Sequence, residues 1–520
     1  MRSSICGLLG VLAALSLGAQ PTVYTGGAVN AASYLAAGLP DYGIAQGSIF
    51  MVFGQGLGPD SPAMASFPLP TELGGVSIQV TAGGVAVQAI MLKCASTWAQ
   101  AILPSSTPTG DGTLTLTYQG QTSAPIGVKV VKSGFGIFTR NQAGSGPASI
   151  DNYNSDTDRP ANSHIQAAKP GQVVTLWGTG LGPVTFDETV PPQAVDLDLP
   201  IQVLVNGRSA QILYKGRSSE FAGLDQINFV IPENSGGGCY SSLAVKIGDV
   251  VSNFAFMSIY AQNILCADSD SFSSNDMSSL EMGGALQVGG ILLKRMQGTL
   301  ESAGGTTQLL IDDGYARFSR FDLNGFLAAN TFYDMWGRAG SCHVEWMRVS
   351  GPNQTDYLAP DPVQHGILEA GATLAFAGPQ GTHNISFDGN EYEDGLGGAP
   401  PGEPEKPPFL EPGQYVVSGS GGKNVGPFTA TIQIPSAVTW SNKDQISQID
   451  RTGNLTITWS GGGDPTKERV IAMGSSTDTA TKLRVTFTCV APASWGSLTV
   501  PSYVLGRLPA SSPWTEGLFP

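Results

Sequence analysis

Histidine, the side chain most often used for general acid–base catalysis and zinc binding, is rare in this chain of 520 residues. The four histidines are His164, His343, His365 and His383, and none belongs to a His-Glu-x-x-His zinc motif. No Gly-x-Ser-x-Gly nucleophile motif stands between a strand and a helix. A pair of glycosidase carboxylates cannot be selected by sequence among 41 acidic residues. We therefore assign no catalytic residues.

Oxygen-bearing side chains are concentrated in one short segment, where calcium could in principle bind. They are Asp388, Asn390, Glu391, Glu393 and Asp394. A looser second set consists of Asp268, Asp270 and Asp276. Neither set matches the EF-hand loop, and solvated acidic loops are more common than calcium sites. We expect no cofactor, with calcium as the alternative.

Tryptophan is the other residue type with a clear chemical use, because exposed aromatic faces can stack against sugar rings. Trp177 and Trp459 each share a strand face with apolar neighbours, so both are predicted to lie in a core. The pattern does not determine the environment of Trp336 and Trp346, which flank Cys342. Tyr392, within the acidic segment, is a candidate exposed ring.

The N-terminal segment is typical of a secretory signal. Arg2 precedes an apolar run over residues 5–17, and Leu17-Gly18-Ala19 ends in small residues suited to cleavage. This run is shorter than a membrane span, and no later stretch is long and apolar enough to form one. We expect export to the extracellular space, the cell surface or the periplasm, without a transmembrane segment.

Five cysteines follow the signal segment, and an exported chain can oxidise them. Five thiols form two bridges in fifteen ways, which spacing alone does not decide. The preferred pairs are Cys239–Cys266, which would close a loop across the last strands of one domain, and Cys342–Cys489. Cys94 follows an apolar stretch and is predicted to be a small buried residue.

An internal repeat organises the first half of the chain. The segment GSIFMVFGQGLGP, residues 47–59, returns as GQVVTLWGTGLGP at residues 171–183. Segments 76–80, 101–104 and 114–118 return in order as 201–205, 229–232 and 243–247. The glycines lead to a proline and not to a helix, which favours a tight turn over a phosphate-binding loop.

The elements that carry these residues are predicted to be short strands. In residues 76–80, apolar and polar side chains alternate, as they do over 428–434, 455–459 and 483–489. The 68 glycines and 35 prolines, about a fifth of the chain, supply turns between strands. Only 13% of residues are charged and the net charge is −15, which disfavours coiled coils and nucleic-acid binding. The sequence predicts an all-β protein.

The repeat resembles the IPT/TIG type of immunoglobulin-like (Ig-like) domain. The stretch GLDQINFVIP, residues 223–232, is similar to uncharacterised secreted Ig-like repeats of acidobacterial proteomes, over roughly residues 22–262. The first copy departs from this pattern, with Trp98 and Gln100 in place of Gln226 and Asn228. The resemblance implies tandem sandwiches in an extracellular setting and brings no catalytic residues. Trp440-Ser441-Asn442, Arg451 and residues 458–462 resemble a C-terminal module that accompanies such repeats.

The expected organisation is tandem immunoglobulin-like β-sandwiches followed by a C-terminal β-rich, sandwich-like domain. The expected parts are a signal peptide (1–19), Ig-like domain 1 (20–132), Ig-like domain 2 (133–262), a linker (263–276) and a C-terminal β-rich domain (277–520) with a subdomain break near 398–408.

The expected function is non-enzymatic: the modules present the C-terminal domain for extracellular adhesion or for binding a polymer, carbohydrate or other surface ligand. Two alternatives stay open. One is a secreted polysaccharide-degrading enzyme whose catalytic unit is 277–520, with the Ig-like domains as spacers. The other is a purely structural stalk.

Overall fold

A computed structural model describes residues 20–260, 266, 273–302, 305–328, 340–348, 366–399, 406–462, 464 and 468–510. The expected signal peptide, Asp268, Asp270, Trp336 and His365 lie outside the described residues. Strands dominate what is described, which confirms the all-β prediction. No helix within these ranges is long and apolar enough to cross a membrane.

The first copy of the repeat forms a two-sheet sandwich. One sheet has the strand order β1-β3-β9-β8-β4 and the other β2-β12-β10-β6-β5, with β7 on β6 and β11 on β10. Val76, Ile78 and Val80 are buried between the sheets while Ser77 and Gln79 face outward, as the alternation predicts. The strands are β1 Thr22–Asn30, β2 Ile44–Ala45, β3 Ile49–Gln55, β4 Ala63–Met64, β5 Glu72–Leu73, β6 Val76–Ala82, β7 Val85–Gln88, β8 Ile90–Cys94, β9 Trp98–Ile102, β10 Gly110–Tyr118, β11 Gln121–Thr122 and β12 Ile126–Val131.

The second copy forms a sandwich with the repeated segments in equivalent strands. Its front sheet has the order β13-β15-β20-β19-β16 with β14 on β15, and its back sheet β18-β17-β21-β22 with β23 on β21. The core between them contains Val174, Leu176, Ile227 and Phe229. The strands are β13 Gly136–Ile137, β14 Ile150–Asn152, β15 Val173–Thr179, β16 Val195–Asp196, β17 Ile201–Val205, β18 Arg208–Ser209, β19 Gln211–Arg217, β20 Asp225–Val230, β21 Gly238–Ile247, β22 Val250–Val251 and β23 Ala255–Ile259.

The remaining chain contains a long hairpin, further β-sheets and short helices. The hairpin of β24 and β25 pairs through β25 with β27 and β30. Its elements are α1 Ser274–Glu281, β24 Leu286–Ser302, β25 Gly305–Phe321, α2 Leu323–Ala328, β26 Cys342–Arg348, β27 Gly366–Ile367, β28 Thr373–Gly378, β29 Gly381–Ser386, β30 Tyr392–Ala399, β31 Gly413–Gly419, β32 Phe428–Ile434, β33 Thr439–Trp440, β34 Leu455–Ser460, β35 Arg469–Asp478, β36 Leu483–Pro492, β37 Ser497–Val500 and α3 Ser502–Leu505.

Two cores organise this C-terminal part. The hairpin and the sheet β29-β28-β31-β32 enclose one of them, around Phe318, Phe376 and Tyr415. The sheets β26-β36-β35 and β33-β34-β37 enclose the other, which also includes Leu35 of the first sandwich and Phe254 of the second. The C-terminal part therefore packs directly against both sandwiches.

The structure contains two disulfides, in agreement with the expectation from the sequence. They join the preferred pairs, Cys239–Cys266 and Cys342–Cys489. Cys342 and Cys489 lie directly opposite each other on β26 and β36 within a core. Cys94 is a free thiol buried in the core of the first sandwich. A bridge that closes a loop of such lengths stabilises a fold by about 3–5 kcal/mol in the chain-entropy model.

Candidate functional site

The outer face of the second sandwich's front sheet carries a cluster of polar and aromatic side chains. Because side chains alternate along a strand, burial of Val174 and Leu176 turns their neighbours on β15 outward. The cluster, here called the polar face, consists of Asp151, Thr175, Trp177, Tyr214, Gln226 and Asn228. All except the buried Thr175 are half-buried.

The prediction that Trp177 lies in the core was wrong. Trp177 does share a face with Thr175, but that face points away from the other sheet, and the core receives Val174 and Leu176 instead. Both faces of β15 carry hydrophobic side chains near Trp177, so alternation alone did not identify the inner one.

Hydrogen bonds fix the orientation of the side chains on the polar face. The indole Nε1 of Trp177 donates to Asp151 Oδ2 at 2.7 Å, and Gln226 Nε2 donates to Asn228 Oδ1 at 2.9 Å. The Tyr214 hydroxyl donates to the carbonyl of Arg217 at 2.6 Å. Within the part of the chain that the structure describes, Gln226 Oε1 and Asn228 Nδ2 have no hydrogen-bond partner. These amide atoms are therefore available to a ligand.

Strand register places the amides directly beside the indole. Trp177 on β15 lies opposite Gln226 on β20, and Thr175 lies opposite Asn228. On the far side of β20, Tyr214 lies opposite Asn228, and on the far side of β15, Asp151 lies opposite Thr175. The result is a sheet face four strands wide that combines aromatic rings with a carboxylate and two amides. Such a surface can stack an apolar ring face and hydrogen-bond to hydroxyl groups.

The equivalent face of the first sandwich is mostly apolar, with Gln100 as a polar exception, and part of it serves as a packing surface. Phe53 occupies the position of Trp177, Met51 that of Thr175, and Trp98 that of Gln226. Farther along the same face, Ile49 and Ile102 pack against Ala222 of the second sandwich.

A buried ion pair anchors the second sandwich at this junction. Arg217 Nη1 donates to Asp225 Oδ1 at 2.7 Å, and both side chains are almost fully buried. The other carboxylate oxygen accepts from the amides of Gly180 and Leu181 at 2.6 and 2.7 Å. The glycine-rich turn therefore binds a carboxylate of its own chain. Burial raises the pKa of Asp225 to about 6, against the opposing effect of Arg217 and the two amides.

Further hydrogen bonds join the two sandwiches. Thr179 Oγ1 accepts from the amide of Ile49 at 2.9 Å, and Asn30 Nδ2 donates to the carbonyls of Thr179 and Gly134. The amide of Ser105 donates to Glu188 Oε2 at 2.7 Å, and burial raises the pKa of Glu188. Together with the apolar contact around Ile49, these bonds fix the orientation of the polar face relative to the first sandwich.

The acidic segment is organised by local hydrogen bonds. Asp388 Oδ1 accepts from the amides of Asn390 and Glu391, which hold the pKa of Asp388 below its usual range. Glu391 accepts from the Tyr315 hydroxyl, and Asp394 contacts His383 Nε2 at 3.1 Å. In the described ranges no three His, Cys, Asp or Glu side chains converge as a metal site would require.

The other candidate residues are dispersed. Asp276 forms a capping box with Ser273 at the start of α1. His164 Nδ1 lies 3.5 Å from Glu281 Oε1, whereas His343 is buried against the ring of Phe256. Burial lowers the pKa of His343 to about 4.

Two aromatic predictions, for Trp459 and Tyr392, can be compared with the structure, which also gives the environment of Trp346 that the sequence left undetermined. Trp459 is buried in a core, as expected, and its indole donates to the carbonyl of Ala493. Trp346 is partly buried against the same core. Tyr392 is fully buried, contrary to its candidacy as an exposed ring, because it begins β30 on the side that faces the hairpin core.

Sequence reasoning missed most of the polar face. Gln226 and Asn228 alternate with the buried Ile227 and Phe229, so their outward orientation was available from the pattern. Asp151 lies on a three-residue strand distant in sequence from β15, and no local signal connects it to Trp177.

No protein-family model and no curated protein matches this chain. Among solved structures, domains 5–6 of the S-layer protein SbsC match at 15% identity, covering 47% of this chain and 100% of that one, with a TM-score of 0.16. The extracellular region of plexin A4 matches at 10% identity over 83% of this chain and 31% of that one, with a TM-score of 0.16. A Bacteroides ovatus glucan-utilisation protein, SGBP-B, in complex with a mixed-linkage heptasaccharide matches at 11% identity over 89% of this chain and 87% of that one, with a TM-score of 0.13. TM-scores this low support no argument about the fold or the function of this chain.

Proposed function

We propose that this protein is an exported, non-enzymatic binding protein that holds a neutral polysaccharide on its polar face. The observation that carries the proposal is the fixed indole of Trp177 beside the two amides of Gln226 and Asn228 on one open sheet surface. Sugar rings present an apolar C–H face and a rim of hydroxyls, so they match an aromatic ring bordered by amide donors and acceptors.

The charge of the protein favours a neutral ligand over an acidic one. The chain has 41 acidic and 26 basic residues, and Asp151 adds a carboxylate to the polar face itself. An anionic polymer would therefore meet repulsion both at long range and on contact. A neutral polysaccharide meets neither.

Two further features support the same proposal. Disulfides form and persist in oxidising compartments, so the pairs Cys239–Cys266 and Cys342–Cys489 agree with export. The rigid junction at Arg217 and Asp225 would present the polar face in a constant orientation, which lowers the entropy lost on binding.

The finer assignments from the sequence belong to this proposal as well. We propose that residues 1–19 are the signal peptide. The two sandwiches, at 20–132 and 133–262, are proposed to be of the IPT/TIG type and of the acidobacterial kind. A linker at 263–276 is proposed to lead to the C-terminal domain at 277–520. In this arrangement the C-terminal domain packs against the sandwiches that it follows.

The proposal is tested by binding of the purified protein to a panel of polysaccharides. The panel contains the neutral polymers cellulose, xylan, mixed-linkage glucan, starch and chitin, and the anionic polymers pectin and alginate. We expect retention by at least one neutral polymer and by neither anionic one. Trp177→Ala should weaken that binding at least tenfold, since aromatic anchors dominate binding energy.

The first sandwich provides the matched control. Trp98 is half-buried on the outer face of the equivalent sheet, so Trp98→Ala should leave binding within about twofold of the unaltered protein. If the protein binds none of the neutral polymers, the proposal is contradicted. Equal binding by the Trp177→Ala and Trp98→Ala variants would contradict it as well.

A further inference from the structure

The outer face of the second sandwich continues past Asp151 to an exposed tyrosine, Tyr153, which is 37% exposed. The amide of Tyr153 donates to the carbonyl of Val173 at 3.0 Å, so the pairing of β14 with β15 continues for one position beyond the strand. Side chains alternate along a strand, and Asn152 between the two residues is buried. Tyr153 is therefore on the same face as Asp151, whose carboxylate accepts from the Trp177 indole.

The opposite end of the polar face is closed by the first sandwich. Thr179, the next outward position after Trp177 on β15, is fully buried, and its Oγ1 accepts from the amide of Ile49 at 2.9 Å. Gly223, just before β20, also lies against the first sandwich, since a Cβ there would be 2.7 Å from Ile49 Cγ1. A ligand that contacts Trp177 and follows the strands can therefore extend only towards Tyr153.

The spacing of the two rings indicates the size of the ligand. Val173, which pairs with Tyr153, is four residues from Trp177 on β15, and four residues of a strand span about 13 Å. A single sugar ring is not much larger than an aromatic ring and cannot reach both. A ligand that contacts Trp177 and Tyr153 together must therefore be an oligosaccharide or a longer chain.

The surface between the two rings is continuous. Val173 on β15 lies directly opposite Val230 on β20, and both are half-buried at outward positions. They follow Thr175 and Asn228 of the polar face at the next outward positions of the same strands. Apolar side chains thus connect the amides of the polar face to Tyr153, where they can contact the C–H face of a sugar chain.

Tyr153 is held in place although its ring is exposed. Its hydroxyl donates to Asp156 Oδ1 at 2.9 Å, and the Arg159 guanidinium lies over one face of the ring, 5.2 Å from its centroid. Gln172 Nε2 donates to the carbonyl of Tyr153 at 3.3 Å and to Asn154 Oδ1 at 2.9 Å, which ties this loop to the start of β15. The ring is therefore pre-organised, and a sugar ring would stack on the face opposite Arg159.

The charges beside Tyr153 balance each other. Arg159 Nη2 lies 3.6 Å from Asp156 Oδ1, so one positive and one negative charge accompany the ring. This end of the face therefore favours a neutral ligand, as the polar face itself does.

We propose that Tyr153 is a second stacking residue for the neutral polysaccharide, which lies along β15 from Trp177 to Tyr153. The inference rests on the proposed function for the class of ligand, and on the junction and the register of β14 for the direction and length of the bound segment. Affinity should rise with chain length until both rings are covered, because the second contact then forms within the same complex.

The test titrates the full-length protein with soluble oligosaccharides of the retained polymer, from about two to eight units long. Tyr153→Ala should weaken binding of the longest ones about fivefold or more and that of the shortest less than about twofold. Trp177→Ala should weaken binding at every length. Tyr153→Phe, which keeps the ring, should retain most of the affinity of the unaltered protein for the long oligosaccharides.

Trp440 provides the control for an exposed ring elsewhere in the molecule. It is 45% exposed in the C-terminal part, so Trp440→Ala should leave binding within about twofold at every length. A loss for Trp440→Ala as large as that for Tyr153→Ala would contradict the role of Tyr153. The thermal unfolding midpoint of each variant should match that of the unaltered protein.

The outcomes distinguish the direction of the ligand from the proposed function. If Trp177→Ala weakens binding and Tyr153→Ala does not at any length, the role of Tyr153 is refuted and the polar face is retained. If Tyr153→Ala weakens binding equally at every length, the ligand does not lie along β15 from one ring to the other. If the unaltered protein binds no neutral polymer or oligosaccharide, both proposals fail.

Discussion

The two sandwiches share their strands and differ in the use of one sheet face. In the first sandwich the outer face of the sheet β1-β3-β9-β8-β4 carries Ile49, Met51 and Phe53 and is largely a packing surface. In the second, Thr175 and Trp177 stand at the equivalent positions, beside amides that have free hydrogen-bonding atoms. The inward positions of the repeat determine the fold, and the outward positions determine whether the face is an interface or a site.

The glycine-rich turns differ in the same way. In the first copy the amides of Gly54 and Leu57 donate to the backbone carbonyls of Thr97 and Ser96. In the second, Asp225 stands at the position of Thr97, and its carboxylate binds the amides of Gly180 and Leu181. Gly180 has a positive φ of 106°, and a Cβ there would lie 2.5 Å from the carbonyl oxygen of Gly134. In the second copy the carboxylate of Asp225 thus ties the turn to Arg217.

The strongest test of this difference removes the buried cation. Arg217→Ala leaves the Asp225 carboxylate buried without its partner, so the free energy of unfolding should fall by about 3–5 kcal/mol. Urea unfolding followed by tryptophan fluorescence measures the change. Thr97→Ala, at the equivalent of Asp225, should cost less than about 0.5 kcal/mol. Equal losses would show that the two turns do not differ in energy.

The packing role of the first face predicts a second large effect. Ile102 is fully buried between the sandwiches, so Ile102→Asn removes apolar contact and buries an unpaired amide. We expect a loss of about 3–4 kcal/mol in the free energy of unfolding. Val230 is the half-buried equivalent in the second sandwich, and Val230→Asn should cost less than about 1 kcal/mol. A larger loss for Val230→Asn would reverse the assignment of the two faces.

The second sandwich also meets the C-terminal part through a buried histidine, which predicts acid sensitivity. The pKa of His343 is about 4 in the folded protein and near 6.5 when unfolded, because burial disfavours the cation. His343 by itself therefore lowers the free energy of unfolding by about 3 kcal/mol as the pH falls from 6.5 towards 4, whereas the raised pKa of Asp225 acts in the opposite direction over part of the same range.

The pH dependence has its own control variants. His343→Gln should remove this contribution, so the difference in unfolding free energy between the variant and the unaltered protein should change by about 3 kcal/mol between pH 6.5 and 4, as measured by urea titration at each pH. His343→Asn, a second replacement that cannot ionise, should remove the same contribution. An unchanged slope for His343→Gln would show that other groups cause the acid sensitivity.

The smallest expected effect concerns the amides of the polar face. Gln226→Ala and Asn228→Ala should each weaken polysaccharide binding about threefold to tenfold, the value of about one hydrogen bond. Isothermal titration with a soluble oligosaccharide of the retained polymer measures the change. The matched variant in the first copy, Gln100→Ala, should have no effect on binding. If neither Gln226→Ala nor Asn228→Ala weakens binding, the amides do not contact the ligand and the site consists of the Trp177 indole without them.

Much of the architecture was predictable from the sequence because it depends on alternation and turns. The two copies were visible in residues 47–59 and 171–183, and both became sandwiches around cores such as that of Val174 and Phe229. Trp177 was misassigned because hydrophobic side chains occupy both faces of its strand. The two faces of this strand differ only because the back sheet of the sandwich covers one of them, and the sequence of the strand does not show which one.

The sites were less predictable because they join residues that are distant in the sequence. Asp151 reaches Trp177 only when β14 pairs with β15. The acidic segment showed the converse problem, since its carboxylates are close in sequence yet contact different partners: Asp388 accepts from local amides and Glu391 from the Tyr315 hydroxyl. Proximity in sequence does not establish convergence in space.

The most direct test of the central claim is hydroxyl-radical footprinting with and without the retained neutral polysaccharide. Mass spectrometry reports the oxidation of Trp177 and of Trp98, which are half-buried on the equivalent faces of the two sandwiches. Our account predicts that ligand lowers the oxidation rate of Trp177 at least threefold and leaves Trp98 unchanged. Protection of Trp98 without protection of Trp177, or protection of neither, would contradict it.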